Sequence, residues 1–497
     1  MLFNSIEFAL FLPIVFILYW FVFNKRLGLQ NLFIVAVSYL FYGWWDWHFL
    51  LLMAFTTTCS WLSGVLIEKH RTNYENGLSK TNWAKVISIT NIVLNLGILG
   101  IYKYYNFFVA SFIEAFGHLG IQLHPSSLNL ILPVGISFYT FQALSYSIDV
   151  YRKDLAATKD AVSFFAFVSF FPQLVAGPIE RATNLLPQFH KPRTFDYNKA
   201  VDGMRQILWG LFKKIVIADN CATYVNQIFD NYEIHTGSTL LLAAILFAFQ
   251  IYGDFSGYSD IAIGTSRLFG INLMRNFAFP YFSRDIAEFW RRWHISLSTW
   301  FRDYLYIPLG GSRGGKCSSI RNTMIIFIVS GFWHGANWTF VAWGAFHGLL
   351  FLPLLIGKKN RKHTNIVAEN KFLPSPIEFI QIASTFLLVV IGWVFFRAES
   401  IQTALKIIFN FANTTLFSKP FYVVGLSKTV MFVGLLLLVE WIQRKKLHGL
   451  EIDTIDNGII KWSIYYLVIA IILEFGANSQ SFNITCYSRF MVVWSRS

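Results

Sequence analysis

Two histidines stand where an imidazole could move protons in a largely apolar sequence. His294 ends the run Phe-Trp-Arg-Arg-Trp-His at 289–294, and His334 lies in the run Gly-Phe-Trp-His-Gly at 331–335. Imidazole titrates near neutral pH, so it can take a proton from a hydroxyl group and later return it. An ionisable side chain is costly to carry into a membrane, and its presence there points to function. The sequence therefore predicts a buried histidine base at His334 and singles out His294 as a second unusual residue.

Each of these histidines also has a structural explanation. His334 could be a buried histidine bonded to a carbonyl group, but Gly335 beside it would let a ligand approach the backbone, which favours catalysis. His294, taken alone, could be a side chain of the aromatic belt that extends its polar end to the membrane surface. His347 follows Trp343 by one helical turn and fits helix packing as well as catalysis. No serine-nucleophile motif or zinc-type His/Glu spacing is present, so no metal site is predicted.

The stretch 284–321 between the two histidine runs is strongly basic. It carries seven Arg or Lys residues against three acidic residues, with glycines at positions 310, 311, 314 and 315. A cytoplasmic loop is the ordinary interpretation of such a stretch. Cations and the backbone N–H groups of glycines can also hold phosphates, although no phosphate-loop or dinucleotide consensus occurs here. The candidates for binding donor phosphates are Arg302, Arg313 and Lys316.

Composition indicates a membrane protein. Of 497 residues, 55% are hydrophobic and only 14% are charged, and the mean hydropathy is +0.49. Soluble domains carry about 25% charged residues, whereas continuous apolar blocks near 20 residues long suit transmembrane helices and not the alternating strands of a barrel. We expect an all-α polytopic protein with about 11 transmembrane helices. The net charge of +14 is spread between the apolar blocks, which fits membrane lipid and gives no reason to expect nucleic acid.

Charge also predicts the topology. Excess Lys and Arg place residues 69–85, 284–321 and 358–362 inside, with 117–127 outside. Pro172 interrupts the short apolar stretch 161–176, which predicts a re-entrant or kinked element. The limb from Asn322 to Trp333 would span only about 17 Å, so His334 is expected near the bilayer midplane. Asp254 and Asp260 are expected to cap short helices, with polar groups of a pore as the alternative. The chain's four cysteines, which show no disulfide or metal spacing, are expected to be free thiols: Cys59, Cys221, Cys317 and Cys486.

Four motifs together resemble the membrane-bound O-acyltransferase family. They are 289–294, Tyr-Leu-Tyr-Ile-Pro-Leu-Gly at 304–310, Trp-His-Gly at 333–335, and Trp-Gly-Ala-Phe-His-Gly at 343–348. Within the family the chain is most similar to bacterial alginate O-acetyltransferase membrane subunits, and more distantly to D-alanyl-lipoteichoic-acid transfer proteins. The similarity covers nearly the whole chain, which implies one domain over 1–497 with a catalytic core at about 130–356. The tail from Ser481 departs from the aromatic-rich end of such relatives.

The resemblance implies a fold and a mechanism. The fold would be a helical ring with re-entrant helices around a central tunnel, which the donor enters from the cytoplasm and the acceptor from the other side. The family uses a tunnel histidine, matched by His334, and an upstream Asn, Asp or His, matched by His294. Trp333, Asn337 and His347 would lie along the tunnel. His334 would deprotonate the acceptor hydroxyl, and His294 would orient the donor or polarise its thioester carbonyl.

The resemblance also implies the substrates. The chain would be an O-acetyltransferase of the bacterial inner membrane that uses acetyl-CoA or a similar acyl thioester as donor substrate, with no bound cofactor. The acceptor would be an exported, alginate-like polysaccharide, reached through an extracytoplasmic acetyltransferase partner. Three alternatives remain open: D-alanyl or peptidoglycan acylation, an acyl-group transporter or channel, and a non-catalytic scaffold for a secreted transferase.

Overall fold

The regular elements of the chain are helices throughout the part that the structure describes. The computed structural model describes residues 1–78, 81–121, 128, 130–411 and 413–476. The outer stretch expected at 117–127 therefore falls partly outside the described residues, and the atypical tail from Ser481, with Cys486, falls wholly outside them. The described residues confirm the all-α class.

Six of the described helices are long and apolar enough to cross a membrane. They are His48–Glu75, Trp83–Gly117, Gly237–Leu268, Trp338–Ile356, Pro376–Arg397 and Gly458–Phe475. Ile6–Val22 and Leu27–Gly43 are apolar but shorter. These helices agree with the multi-pass membrane protein that the composition predicts. The count of about 11 crossings and the tunnel stay predictions.

The chain forms two compact units. The first comprises residues 1–203 and 262–274, and the second comprises 204–261 and 275–497. The prediction of a single domain over 1–497 stays a prediction. Both candidate histidines belong to the second unit.

Among the described residues, the first unit contains eight complete α-helices, the beginning of a ninth (Tyr197–Leu211) and the end of the helix Gly237–Leu268. The eight complete helices are α1 Ile6–Ile17, α2 Leu27–Gly43, α3 His48–Glu75, α4 Trp83–Gly117, α5 Ile136–Arg152, α6 Ala161–Ser169, α7 Phe171–Leu174 and α8 Ala182–Phe189. A π-helical turn, Leu18–Val22, extends α1. α6 and α7 are separated at Phe170, and Pro172 lies in the first turn of α7, where its missing N–H is tolerated. This break confirms the kinked element expected at 161–176.

The remaining helices include all those that carry the candidate site. They are α9 Tyr197–Leu211, α10 Asp219–Phe229, α11 Gly237–Leu268, α12 Ile286–Arg292, α13 Ile295–Phe301, α14 Gly315–His334, α15 Trp338–Ile356, α16 Pro376–Arg397, α17 Ile401–Asn410, α18 Leu426–Ile442 and α19 Gly458–Phe475. π-helical segments at Phe212–Ala218 and Arg302–Tyr306 follow α9 and α13. Most of the basic stretch 284–321 is therefore helical, and its position on the cytoplasmic side stays a prediction.

The expectation that Asp254 and Asp260 cap short helices was also wrong. Both lie inside α11, and each pairs with a lysine of the π-helical segment Phe212–Ala218. Lys213 Nζ lies 2.5 Å from Asp260 Oδ2, and Lys214 Nζ lies 2.8 Å from Asp254 Oδ1. Charges buried in this way need a partner of opposite sign, which these lysines supply. The partners are distant in sequence, so no local pattern marks them.

Two glycines bring α14 and α15 into backbone contact. A Cβ atom at Gly331 would lie 2.2 Å from the carbonyl oxygen of Phe340, and one at Gly344 would lie 2.2 Å from that of Phe327. Small residues permit such close helix pairs in membranes. α14 begins at Gly315, before the limb expected from Asn322 to Trp333. The whole helix has 20 residues and is about 30 Å long, whereas the expected limb alone would span about 17 Å. The depth of His334 in the bilayer stays a prediction.

Candidate active site

His294 is buried at the corner between α12 and α13. Its backbone adopts the left-handed conformation (φ 44°), and 1% of the residue is exposed. The ring packs edge-to-face on Phe255, with ring centroids 4.6 Å apart. Its imidazole Nδ1 lies 3.1 Å from Asn276 Oδ1. The alternative of an aromatic-belt side chain reaching the membrane surface does not fit this burial.

Asn276 holds the same corner through its backbone and its side chain. Its carbonyl oxygen accepts a hydrogen bond from the Ile295 N–H at 2.9 Å. Its side-chain oxygen accepts from the N–H and the hydroxyl of Ser296, at 3.3 and 3.0 Å. Its amide nitrogen donates to Ser259 Oγ on α11 at 3.1 Å. Sequence reasoning missed Asn276, because an asparagine 18 residues before a histidine forms no recognisable motif.

His334 is the last residue of α14 and remains half-buried. Aromatic rings surround its imidazole, with centroids 5.0 Å away at Trp333, 5.1 Å at Trp343 and 5.3 Å at Phe396. All three contacts are edge-to-face or nearly so. The imidazole is thus held by apolar rings while part of its surface stays open, as a group that must reach a substrate requires.

The indole of Trp333 lies beside both histidines. Its ring centroid is 6.1 Å from that of His294 and 5.0 Å from that of His334. Only 5% of Trp333 is exposed, so a single buried indole packs against both imidazoles. The structure therefore brings together the two histidines that the sequence singled out.

Asn337 and His347 have mainly structural surroundings. The Asn337 side chain caps α15 by accepting from the Thr339 N–H at 2.9 Å and donates to the carbonyl oxygen of Glu399 at 3.2 Å. His347 is fully buried, and neither ring nitrogen has a hydrogen-bond partner among the described residues. A Cβ atom at Gly392 would lie only 2.5 Å from His347 Nε2, so the ring packs directly against this glycine. These contacts fit helix packing for both residues.

A cavity of about 670 Å³ extends along one face of α14. Eight residues of the helix line it: Gly315, Lys316, Ser319, Ile320, Thr323, Ile326, Phe327 and Ser330. Steps of three and four residues keep these positions on one face, and His334 follows Ser330 by one further turn on that face. From Lys316 to Ser330 the face is about 21 Å long. The volume lies within the usual range for small-molecule sites.

The cavity has a basic end and an apolar wall. Arg302, Lys316, Lys358 and Arg361 contribute the cations, while the apolar lining comes from Trp290, Phe301, Ile326, Phe327, Phe351, Leu355 and Ile356. Two of the three expected phosphate ligands, Arg302 and Lys316, therefore line it, and Arg313 is not among its lining residues. Lys358 and Arg361 were expected only as topology signals. Arg302 also pairs with Asp303, with Nε and Oδ1 2.6 Å apart.

Arginines of the α12 region anchor the segment that brings Lys358 and Arg361 to the cavity. Arg291 donates to the carbonyl oxygens of Asn360 and His363, at 2.6 and 2.7 Å. Arg284 donates to the carbonyl oxygen of Asn365 at 2.8 Å and forms an ion pair with Glu288 at 3.0 Å.

Glu288 itself is 1% exposed and accepts from two arginines. Burial alone would raise the pKa of Glu288, but the hydrogen bonds from Arg284 and the charge of Arg292 outweigh it and hold that pKa below its ordinary value. The carboxylate therefore stays ionised at neutral pH.

Comparison with known proteins identifies the family to which the chain is similar. The family model of membrane-bound O-acyltransferases matches residues 31–391. The probable alginate O-acetylase AlgI of Pseudomonas aeruginosa PAO1 is 42% identical over 407 residues, which is 81% of this chain and 73% of the relative. The peptidoglycan O-acetyltransferase of Helicobacter pylori is 34% identical, over 82% of this chain and 79% of the relative. A teichoic acid D-alanyltransferase of Streptococcus thermophilus is 30% identical over 49% of this chain and 62% of the relative.

Proposed function

Because the chain belongs to the membrane-bound O-acyltransferase family and is a multi-pass membrane acyltransferase, we propose that it acetylates an exported polysaccharide. The donor would be acetyl-CoA or a similar thioester on the cytoplasmic side. The acceptor would be hydroxyl groups of an alginate-like polymer, reached through an extracytoplasmic acetyltransferase partner. Relatives named alginate O-acetylase support this choice.

One observation carries the proposal: the cavity face of α14 leads from a basic end to within one turn of His334. The cations at Arg302, Lys316, Lys358 and Arg361 suit the phosphates of a CoA-type molecule, and the apolar wall suits its uncharged arm. A donor bound in this direction would present its thioester towards the two histidines. The basic end would face the cytoplasm, as the positive charge of 284–321 and 358–362 predicts.

The reaction would use His334 as the general base. As the acceptor hydroxyl oxygen attacks the thioester carbonyl carbon, the proton of the hydroxyl passes to His334. The carbon–sulfur bond then breaks, and the departing thiolate takes the proton from His334 to leave as a thiol. A positioned base of this kind typically contributes about 10²–10⁴-fold to the rate.

Thioester turnover by isolated membranes tests this function. His334→Ala and His334→Gln should each reduce the release of CoA from radiolabelled acetyl-CoA by about 10²-fold or more, because neither side chain can accept the proton. Abundance and thermal stability of the variants, measured in parallel, separate loss of chemistry from loss of protein.

Other results would identify a different function. Wild-type-like turnover by His334→Gln would remove histidine base catalysis. Acetyl movement across the membrane without thioester cleavage would indicate a transporter, and full glycan acetylation with His334→Ala would indicate a scaffold. Mass spectrometry of envelope glycans with and without the protein names the acceptor, with acetylated peptidoglycan as the alternative suggested by the Helicobacter pylori relative.

A further inference from the structure

The amide of Asn276 has only one possible orientation. The Ser296 N–H and hydroxyl both lie within hydrogen-bonding distance of the same side-chain atom of Asn276, at 3.3 and 3.0 Å. A backbone N–H can only donate, so that atom must be the carbonyl oxygen and not the amide nitrogen. The nitrogen then faces Ser259 Oγ, an acceptor, at 3.1 Å.

This orientation decides which nitrogen of His294 carries the proton. Nδ1 lies 3.1 Å from the Asn276 carbonyl oxygen, which can only accept. Ser296 Oγ is farther from Nδ1, at 3.5 Å, and its proton goes to the nearer Asn276 oxygen at 3.0 Å, so Nδ1 must be the protonated nitrogen. The buried ring packs on Phe255 and Phe277 and is therefore neutral, since an uncompensated charge would be costly there. Nε2 is left with a lone pair, and it has no hydrogen-bond partner among the described residues.

We propose that Asn276 is a positioning residue that holds His294 as a hydrogen-bond acceptor towards the reacting groups. A neutral imidazole with its lone pair on Nε2 can receive a hydrogen bond from the acceptor hydroxyl, but it cannot donate one to a thioester carbonyl. His294 therefore orients the hydroxyl beside the base His334, in place of the carbonyl-polarising role expected from sequence. The identity of the hydroxyl rests on the proposed function, whereas the tautomer does not.

The backbone supports the same role for Asn276. His294 has a φ of 44°, a left-handed conformation that residues other than glycine adopt only when their surroundings impose it. The carbonyl oxygen of Asn276 receives the N–H of Ile295, the next residue, at 2.9 Å. One residue thus fixes both the direction of the His294 side chain and its protonation, as orienting residues do in catalytic triads.

Two substitutions of similar size separate this role from simple packing. Asn276→Asp keeps an oxygen that accepts from His294 Nδ1, and Ser259 can then donate its hydroxyl proton to the new carboxylate. Asn276→Leu keeps the branching and the number of side-chain heavy atoms but removes the acceptor. We expect Asn276→Leu to lower kcat on the order of 10²-fold with little change in donor KM, and Asn276→Asp to retain most of the activity.

Nitrogen-15 NMR of histidine-labelled protein reads the tautomer directly, with His294→Gln used to assign the signal. The proposal expects a protonated Nδ1 in the wild type and a mixture or reversal in Asn276→Leu. Asn95→Leu, which removes another fully buried amide, in the first unit, is the matched control and should change neither readout.

Three results would overturn the proposal: a wild-type proton on Nε2, wild-type kcat in folded Asn276→Leu, or an equal loss in Asn95→Leu. Absence of acetyl-CoA turnover in the wild type would instead refute the proposed function. The NMR signal would still test the role of Asn276 in that case.

Discussion

At the scale of single residues, burial separates histidines that look alike in sequence. His334 and His347 both pack against the indole of Trp343, with ring centroids 5.1 Å away in each case. His347 is fully buried, whereas His334 at the end of α14 stays half-exposed. A side chain that exchanges a proton with a substrate must be reachable, so the geometry favours His334 for catalysis and His347 for packing.

The cations of the cavity lead to a prediction about donor binding. Arg302→Ala and Lys316→Ala should raise the donor KM several-fold at low salt and leave kcat nearly unchanged, because they would remove attraction to phosphates without touching the reacting atoms. The effect should shrink as salt screens the charge. The measurement is acetyl-CoA turnover by membranes at several ionic strengths.

Arg313→Ala is the matched control for these variants. It removes an exposed cation from the same basic stretch, but Arg313 is not among the residues that line the cavity. An equal KM increase in Arg313→Ala would mean that the overall charge of the stretch, and not the cavity, attracts the donor.

The sequence reveals functional residues whose types are unusual in an apolar chain. It does not reveal residues whose role depends on a partner distant in sequence. The histidines at 294 and 334 are conspicuous because imidazole is rare in apolar sequence. Asn276 is an ordinary residue until the fold brings it 3.1 Å from His294. Asp254 and Asp260 were misassigned for the same reason, since their lysine partners lie in another helical segment.

At the scale of elements, a buried ion cluster fixes the segment that follows α15. Arg284, Glu288 and Arg292 are close together at α12, and Arg284 also bonds to Asn365. The sequence pattern could not reveal this ion cluster, because its charges were interpreted only as markers of which side of the membrane the stretch occupies. The consequence is that the cavity's basic end depends on a carboxylate that does not line it.

Removing the charge of Glu288 should therefore destabilise the protein. Glu288→Gln leaves the largely buried Arg292 without its counter-ion and leaves Arg284 only the carboxylate of Glu378, 3.5 Å from its Nη1, at a cost of about 3–5 kcal/mol. Thermal unfolding in detergent at pH 7 should show a lower Tm than the wild type. The exposed Glu369→Gln is the control, expected to stay within about 0.5 kcal/mol of wild type.

The pH dependence of this difference has a definite sign. The pKa of Glu288 is held below its ordinary value, so the stabilisation is fully present above about pH 4.3, the usual pKa of glutamate. It is lost as the pH falls through the lower pKa of the folded state. Wild type and Glu288→Gln should converge in that acid range, and a constant Tm difference down to pH 2 would contradict the ion-pair explanation.

At the scale of the whole molecule, charge distribution predicts sidedness. α4 has 35 residues, about 52 Å in length, which exceeds the roughly 30 Å of hydrocarbon in a bilayer. The basic residues before it predict that it starts inside and ends outside. The all-helical class could be predicted from composition, but helix boundaries could not, because polar residues such as Asp254 continue a helix when a partner neutralises them.

Single cysteines on either side of α4 test this sidedness. Thr81→Cys and His118→Cys, in a background without the four native cysteines, should react with an impermeant maleimide from opposite sides of the membrane. Intact cells should label only His118→Cys, and permeabilised cells should label both. Labelling of both variants in intact cells would reject the predicted topology.

The glycine contact between α14 and α15 limits how His334 can move. With the backbones touching at Gly331 and Gly344, sliding α14 along α15 would drive larger side chains into the carbonyl groups of Phe340 and Phe327. The two helices are therefore expected to move together as one rigid pair, which keeps the position of the His334 imidazole relative to Trp343 unchanged. Substrates must therefore reach His334 at this position. We expect any conformational change that opens or closes the site during turnover to occur in segments outside the α14–α15 pair.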